Sequence, residues 1–147
     1  KRGEVRLQLF PEVAPVTVWQ IGSLARSGYF RGSSFHRVVP AFVAQGGDPR
    51  GDGWGGPGAT SGAAVSIPCE LSDHPYAAGT LGMALSGRDT GGSQFFLALT
   101  PQPHLEGGYT VFGRVTAGLD VVEKIEVQPV DGETPVTRIE VSRARVE

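Results

Sequence analysis

Glycine and proline interrupt this chain too often for a helix bundle: 22 glycines and 11 prolines among 147 residues cut every apolar run into short pieces. Glycine opens the left-handed backbone and proline removes a donor, so both mark turns. Short strands joined by turns are what such a chain can build. The pieces between the turns agree. Val5, Leu7 and Leu9 alternate with Glu4, Arg6 and Gln8, the period of a strand with one buried face. Ile139 and Val141 alternate likewise with Arg138, Glu140 and Ser142, and the two terminal strands are expected to pair and tie the ends together. Further strands are expected over Phe35–Val39, Phe42–Gln45, Thr80–Leu85, Phe95–Leu99 and Thr110–Val115.

Helical spacing occurs twice. Val18, Ile21 and Ala25 predict a helix over Val16–Ser27 with Gly28 as its stop, and Leu119, Val122 and Ile125 form an apolar stripe over Leu119–Glu126. Many short strands with two helices predict a mainly β fold. A closed barrel suits it, because closure removes exposed sheet edges.

The length fits one domain, residues 1–147, able to bury about 68–70% of its unfolded surface. Thirteen basic against fifteen acidic residues leave a net charge of -2, so nothing electrostatic favours nucleic acid or an anionic membrane as partner. Cys69 is the only cysteine, which rules out an intrachain disulfide; it is expected to be a small buried apolar residue. No apolar run reaches the roughly 18 residues of a spanning helix, and no signal peptide is visible. We expect a cytoplasmic monomer, with export or membership of a longer chain as alternatives, since the sequence starts at Lys1.

The stretch Pro49–Ala64 contains GDGWGGPGATSG and reads as a surface loop. It holds neither GxGxxG before a helix nor GxxxxGK[ST], so a nucleotide loop is not supported. His36, His74 and His104 lack zinc-site spacing, and no CxxC occurs. No cofactor is expected. Ser93 lies in GGSQ rather than a nucleophile elbow and reads as a turn residue, as does Asp48 after two glycines. His36 is expected to be a hydrogen-bonded structural histidine.

Chemistry concentrates in two segments. FHRVVPAFVAQGGD, from Phe35 to Asp48, joins Arg37 to Phe42 and Gln45 across a proline. GSQFF, from Gly92 to Phe96, adds Gln94 and further phenylalanine. A cation, two amides and several aromatic rings suit a site that binds a peptide and perturbs it electrostatically. Period-two alternation puts Gln94 and Phe96 on one face of their strand and Phe95, Leu97 and Leu99 on the other. One face can feed the core and the other a groove.

These segments, with VRLQLFPEVAPVTV, GGPG, GTLGMALSG and YTVFGRVTAGLDVVEKI in the same order, resemble the cyclophilins, a family of peptidyl-prolyl cis-trans isomerases. The resemblance covers nearly the whole chain. It implies an eight-stranded antiparallel β-barrel closed on itself and capped by two α-helices. It implies an isomerase without cofactor, acting on X–Pro bonds of peptides and unfolded proteins; the alternative is a proline-peptide-binding or chaperone module without turnover. A hydrolase finds no motif.

Carried over residue by residue, the resemblance makes Arg37 the catalytic arginine, with Phe42 and Gln45 beside it. Phe42, Val43, Phe96 and Leu105 would line the proline pocket, Val43 standing where methionine is common. Gln45 and Gln94 match groove glutamines, and Ala84 the residue whose backbone meets the peptide. Three positions depart from the family: Leu85 where many relatives have asparagine, His104 where the best-known members carry tryptophan, and Tyr109 where they often carry histidine. These departures leave the arginine untouched and bear on peptide preference and on cyclosporin, whose binding is expected to be weak.

Overall fold

A computed structural model describes residues 3–59 and 61–147. Its chain order begins with strand β1 (Arg6–Leu9), helix α1 (Pro15–Arg26), β2 (Arg37–Val39) and β3 (Val43–Gly46). There follow β4 (Thr80–Met83), β5 (Phe95–Ala98), a single 3-10 turn (Pro103–Leu105), β6 (Val111–Ala117), helix α2 (Leu119–Glu126), β7 (Val130–Asp131) and β8 (Thr134–Pro135). Six strands form one antiparallel sheet in the order β1-β6-β4-β5-β3-β2, and β7 pairs with β8 as a hairpin. The fold is mainly β with two helices, as the punctuated sequence requires.

Three expectations need correction. The chain ends do not pair as expected, and the C-terminal one is not a strand: β1 pairs with β6, while Glu140 forms only an isolated bridge with Ser34 and the Val141 and Ile139 carbonyls accept from Gly32 and Phe35 N–H groups. Leu7 is 40% exposed, because β1 is an edge strand of the sheet and only Val5 and Leu9 lean on the core. In α2 the buried stripe is Val121, Val122 and Ile125, and Leu119 at the first turn faces water at 48% exposure. The β7–β8 hairpin was not anticipated, although Asp131-Gly132 is a turn signal and Gly132 adopts φ +64°.

Helix α1 ends where glycine said it would. Gly28 takes φ +78°, its N–H donates to the Ala25 carbonyl, and the next N–H, on Tyr29, reaches back to Leu24. That double bond pattern caps the helix C-terminus in a left-handed turn that glycine adopts at least cost. Its N-terminus has no local side-chain cap. The Glu70 carboxylate, far along the chain, accepts from the N–H groups of Val16 (2.9 Å) and Thr17 (2.8 Å) and from the Thr17 hydroxyl (2.7 Å). A carboxylate there satisfies orphan donors and meets the positive end of the helix dipole.

The core divides by sheet face. Leu81, Met83, Leu97 and Phe112 meet Ile21 of α1 and Val122 of α2 in one cluster, with Phe95 and Leu99 packed on it. Val43, Phe96, Ala98, Leu105 and Val111 join Tyr76 and Phe10 in a second. Phe96 and Leu97, adjacent in sequence, belong to different clusters, as period-two alternation predicts.

Candidate active site

One row of cross-strand neighbours builds the site. Arg37 stands opposite Gln45, Gln45 opposite Phe96, and Phe96 opposite Gly82, so a single register line crosses β2, β3, β5 and β4. Residues directly opposite project to the same face. Cation, amide and aromatic ring are therefore set side by side by strand pairing alone. The next row on that face, Val39–Val43–Ala98, extends it with small apolar groups.

Gly82 holds its place in the row for a steric reason. A Cβ there would lie 2.4 Å from Phe96 Cζ and 2.6 Å from the Tyr76 hydroxyl. The missing side chain lets the Phe96 ring lie over the strand, stacked on Tyr76 at 5.7 Å. Nothing local in the sequence points to Tyr76. It is 1% exposed, and its hydroxyl lies within hydrogen-bond distance of the Tyr109 and Thr110 carbonyls, at 3.0 and 3.2 Å. Burial pushes its phenol pKa well up, so it stays a neutral donor.

A cavity of about 120 Å³ opens over this row, lined by Arg37, Phe42, Val43, Gln45, Ala84, Leu85, Phe96, Leu105 and Tyr109. All nine are among the residues the sequence points to. The two remaining candidates sit at its margins. Gln94 stands one step back, its amide oxygen accepting from Gln45 Nε2 at 3.0 Å. His104 is exposed on the 3-10 turn, its ring 5.5 Å from that of Phe42 and tilted by 34°.

The polar half of the cavity is a relay of amides. Arg37 Nη1 donates to Gln45 Oε1 at 3.3 Å, and Gln45 passes the chain on to Gln94. Gln94 Nε2 then donates to the carbonyls of Gly53 (2.9 Å) and Gly55 (3.0 Å), tying the glycine-rich loop to the site. Trp54, between those glycines, is 79% exposed. The loop's other anchor is Asp48, whose buried carboxylate accepts from Arg50 N–H at 2.8 Å, Asp52 N–H at 3.0 Å and Gly53 N–H at 2.6 Å. Desolvation by itself would raise the Asp48 pKa, but donations from the backbone of Arg50, Gly53, Gly55 and Gly51 together hold it below the usual value. Asp48 is thus the turn organiser the sequence indicated. Ser93 is likewise structural, donating to the Gly47 carbonyl at 2.7 Å.

Two side chains behave otherwise than expected. His36 Nδ1 is buried without a hydrogen-bond partner among the described residues, so this histidine is not held at that nitrogen. Burial depresses its pKa, against the pull of Asp48, and favours the neutral ring. Cys69 is half-buried rather than buried, with its N–H on Asp89 Oδ1 (2.8 Å) and its sulfur accepting from the Asp89 N–H (3.3 Å).

One charged neighbour escaped the sequence reading altogether. Glu133, in the β7–β8 turn, accepts from Arg37 Nε at 2.6 Å and from Nη2 at 3.4 Å. Those bonds, and the guanidinium charge behind them, hold the Glu133 carboxyl below its usual pKa. Arg37 also lies over the Phe42 ring, 5.9 Å from its centroid.

Arg37 thus borders a pocket whose other lining is largely apolar, and comparisons with other proteins identify the family to which such a chain belongs. The family model described as cyclophilin type peptidyl-prolyl cis-trans isomerase/CLD matches residues 1–146. A peptidyl-prolyl cis-trans isomerase of Synechococcus elongatus is 51% identical over 114 residues, covering 78% of this chain and 74% of that protein. Peptidyl-prolyl cis-trans isomerase B of Bacillus subtilis is 49% identical over 124 residues, covering 83% and 82%. The crystal structure of a cyclophilin type isomerase of Cryptosporidium parvum, in the presence of the dipeptide Ala-Pro, superposes with a TM-score of 0.92 at 29% identity, covering 100% of this chain and 94% of that one. With the whole length matched and the same architecture recovered, the chain belongs to the cyclophilin-type peptidyl-prolyl cis-trans isomerases.

Proposed function

We propose that X–Pro peptides bind in the cavity over the Arg37–Gln45–Phe96 row and that Arg37 supplies the hydrogen bond that speeds rotation of the imide. Rotation has a barrier of ~18–20 kcal/mol, because amide resonance is lost in the twisted form. The imide nitrogen then becomes pyramidal and basic. A donor aimed at it stabilises the twisted state more than the planar one, which needs neither covalent chemistry nor a cofactor. Arginine stays protonated and offers its donors in a fixed fork. The observation that carries this reading is the juxtaposition of the Arg37 fork with a pocket floored by Phe96 and walled by Phe42, Val43 and Leu105.

The other roles follow from what each group has left to offer. Gln45 orients Arg37 through its oxygen, and Gln94 orients Gln45. The Ala84 N–H is already engaged by the Gln94 carbonyl at 3.0 Å, so its contribution to a bound peptide is its own carbonyl. Leu85 makes the groove edge more apolar where asparagine is common in the family, and Tyr109 puts a phenol ring where histidine is common. His104 offers less apolar area than tryptophan, which leaves cyclosporin a weak ligand.

The same reading has a single domain working as a monomer, with eight strands wrapped to closure. The C-terminal segment extends the sheet along the outer side of β2, where Val38 N–H donates to the Glu133 carbonyl at 2.8 Å and Phe35 N–H to that of Ile139 at 2.9 Å; closure further requires a partner for β1 at the opposite edge.

Exchange NMR on an Ala-Pro peptide with catalytic amounts of protein tests the reading. Cis-trans exchange, which takes tens to hundreds of seconds uncatalysed, should become fast. Resonance broadening from binding, without faster exchange, would instead make the protein a proline-peptide module.

A further inference from the structure

We infer that Glu133 is a positioning residue for the Arg37 guanidinium, holding one edge of it so that the other faces the peptide. This rests on the reading of Arg37 as the transition-state donor. A guanidinium carries five N–H bonds. Nε and one N–H of Nη2 point at the two oxygens of Glu133, and one N–H of Nη1 at Gln45. What remains is one N–H on each terminal nitrogen. Among the described residues these two have no acceptor, and they are the part of the guanidinium left to meet a substrate.

The pair is built rather than casual. Glu133 reaches Arg37 across 96 residues of sequence, and the backbone of Glu133 is itself docked: its carbonyl accepts from the N–H of Val38, the residue after Arg37. The hairpin tip is thus fixed to the strand that carries the arginine. The Arg37 side chain is 34% exposed and that of Glu133 54%, and Glu133 does not line the cavity. The carboxylate approaches from outside and leaves the peptide's space clear. An exposed ion pair contributes little to stability. Its consequence lies in restricting a side chain that otherwise samples many rotamers.

The test compares wild type, Glu133→Ala, Glu133→Gln, Arg37→Ala and the Arg37→Ala/Glu133→Ala double variant in one isomerase assay, with thermal melting and the Arg37 Nε–H NMR resonance measured alongside. Removing Glu133 should lower kcat by about 3–10-fold, the scale of one lost hydrogen bond, with KM and melting nearly unchanged. The Nε–H resonance should shift and exchange faster with water. Glu133→Gln, which keeps an acceptor, should recover part of both. In the Arg37→Ala background the Glu133 change should have no further effect. Unchanged kcat, a loss confined to KM, or an equal loss in the Arg37→Ala background would each overturn the assignment. Near-wild-type turnover by folded Arg37→Ala is a separate failure, which removes the arginine itself from the mechanism.

Discussion

The two faces of β5 and its flanks carry the same kind of residue to opposite ends. Phe95, Leu97 and Leu99 pack inward on the apolar cluster that includes Ile21 of α1 and Val122 of α2. Gln94 and Phe96, interleaved with them, meet an amide relay and an open cavity. Both faces are well packed: Leu97 is 2% exposed and Phe96 5%. Burial alone therefore does not separate core from site. What separates them is what lies beyond the side chain. Past Leu97 there is more hydrocarbon; past Phe96 there is Arg37, Gln45 and space.

That contrast can be broken by experiment. Leu97→Ala should destabilise the fold by about 2–5 kcal/mol, the usual result of emptying a core leucine site. The loss should appear in urea unfolding, while kcat/KM per folded molecule keeps its wild-type value. An equal fall in turnover among folded molecules would show that the inner face is coupled to the groove. On the groove side the matching change is His104→Trp, which should leave stability alone and alter ligand recognition. Adding an indole N–H and ring area over Phe42 should tighten cyclosporin inhibition by roughly 10–100-fold, from one buried hydrogen bond and extra apolar contact. Equal inhibition of both proteins in the same assay would mean that His104 is not the determinant.

What the sequence disclosed of this molecule was set by distance along the chain. Period-two alternation revealed the two faces of β5, and glycine spacing revealed the end of α1, because both are local. The arginine–amide–aromatic row was visible because Arg37 and Gln45 share one segment and the resemblance supplied Phe96. Glu70 and Glu133 were not visible. Each acts on a partner 53 or 96 residues away, and a lone glutamate in a polar loop carries no local signal of what it will meet. Leu7 and Leu119 failed for another reason: alternation and helical spacing say which residues share a face, not whether a neighbour covers it. An edge strand and a first helical turn left both in water.

On the proposed mechanism the cavity favours the twisted imide through one donor, Arg37. The direct measurement is peptide exchange by NMR with wild type and Arg37→Ala, each also titrated for peptide affinity. Deleting one transition-state donor should lower kcat/KM by about 10²–10³, with the fold intact and peptide affinity little changed. Near-wild-type exchange in the folded variant, or an affinity loss that accounts for the whole effect, would contradict the claim.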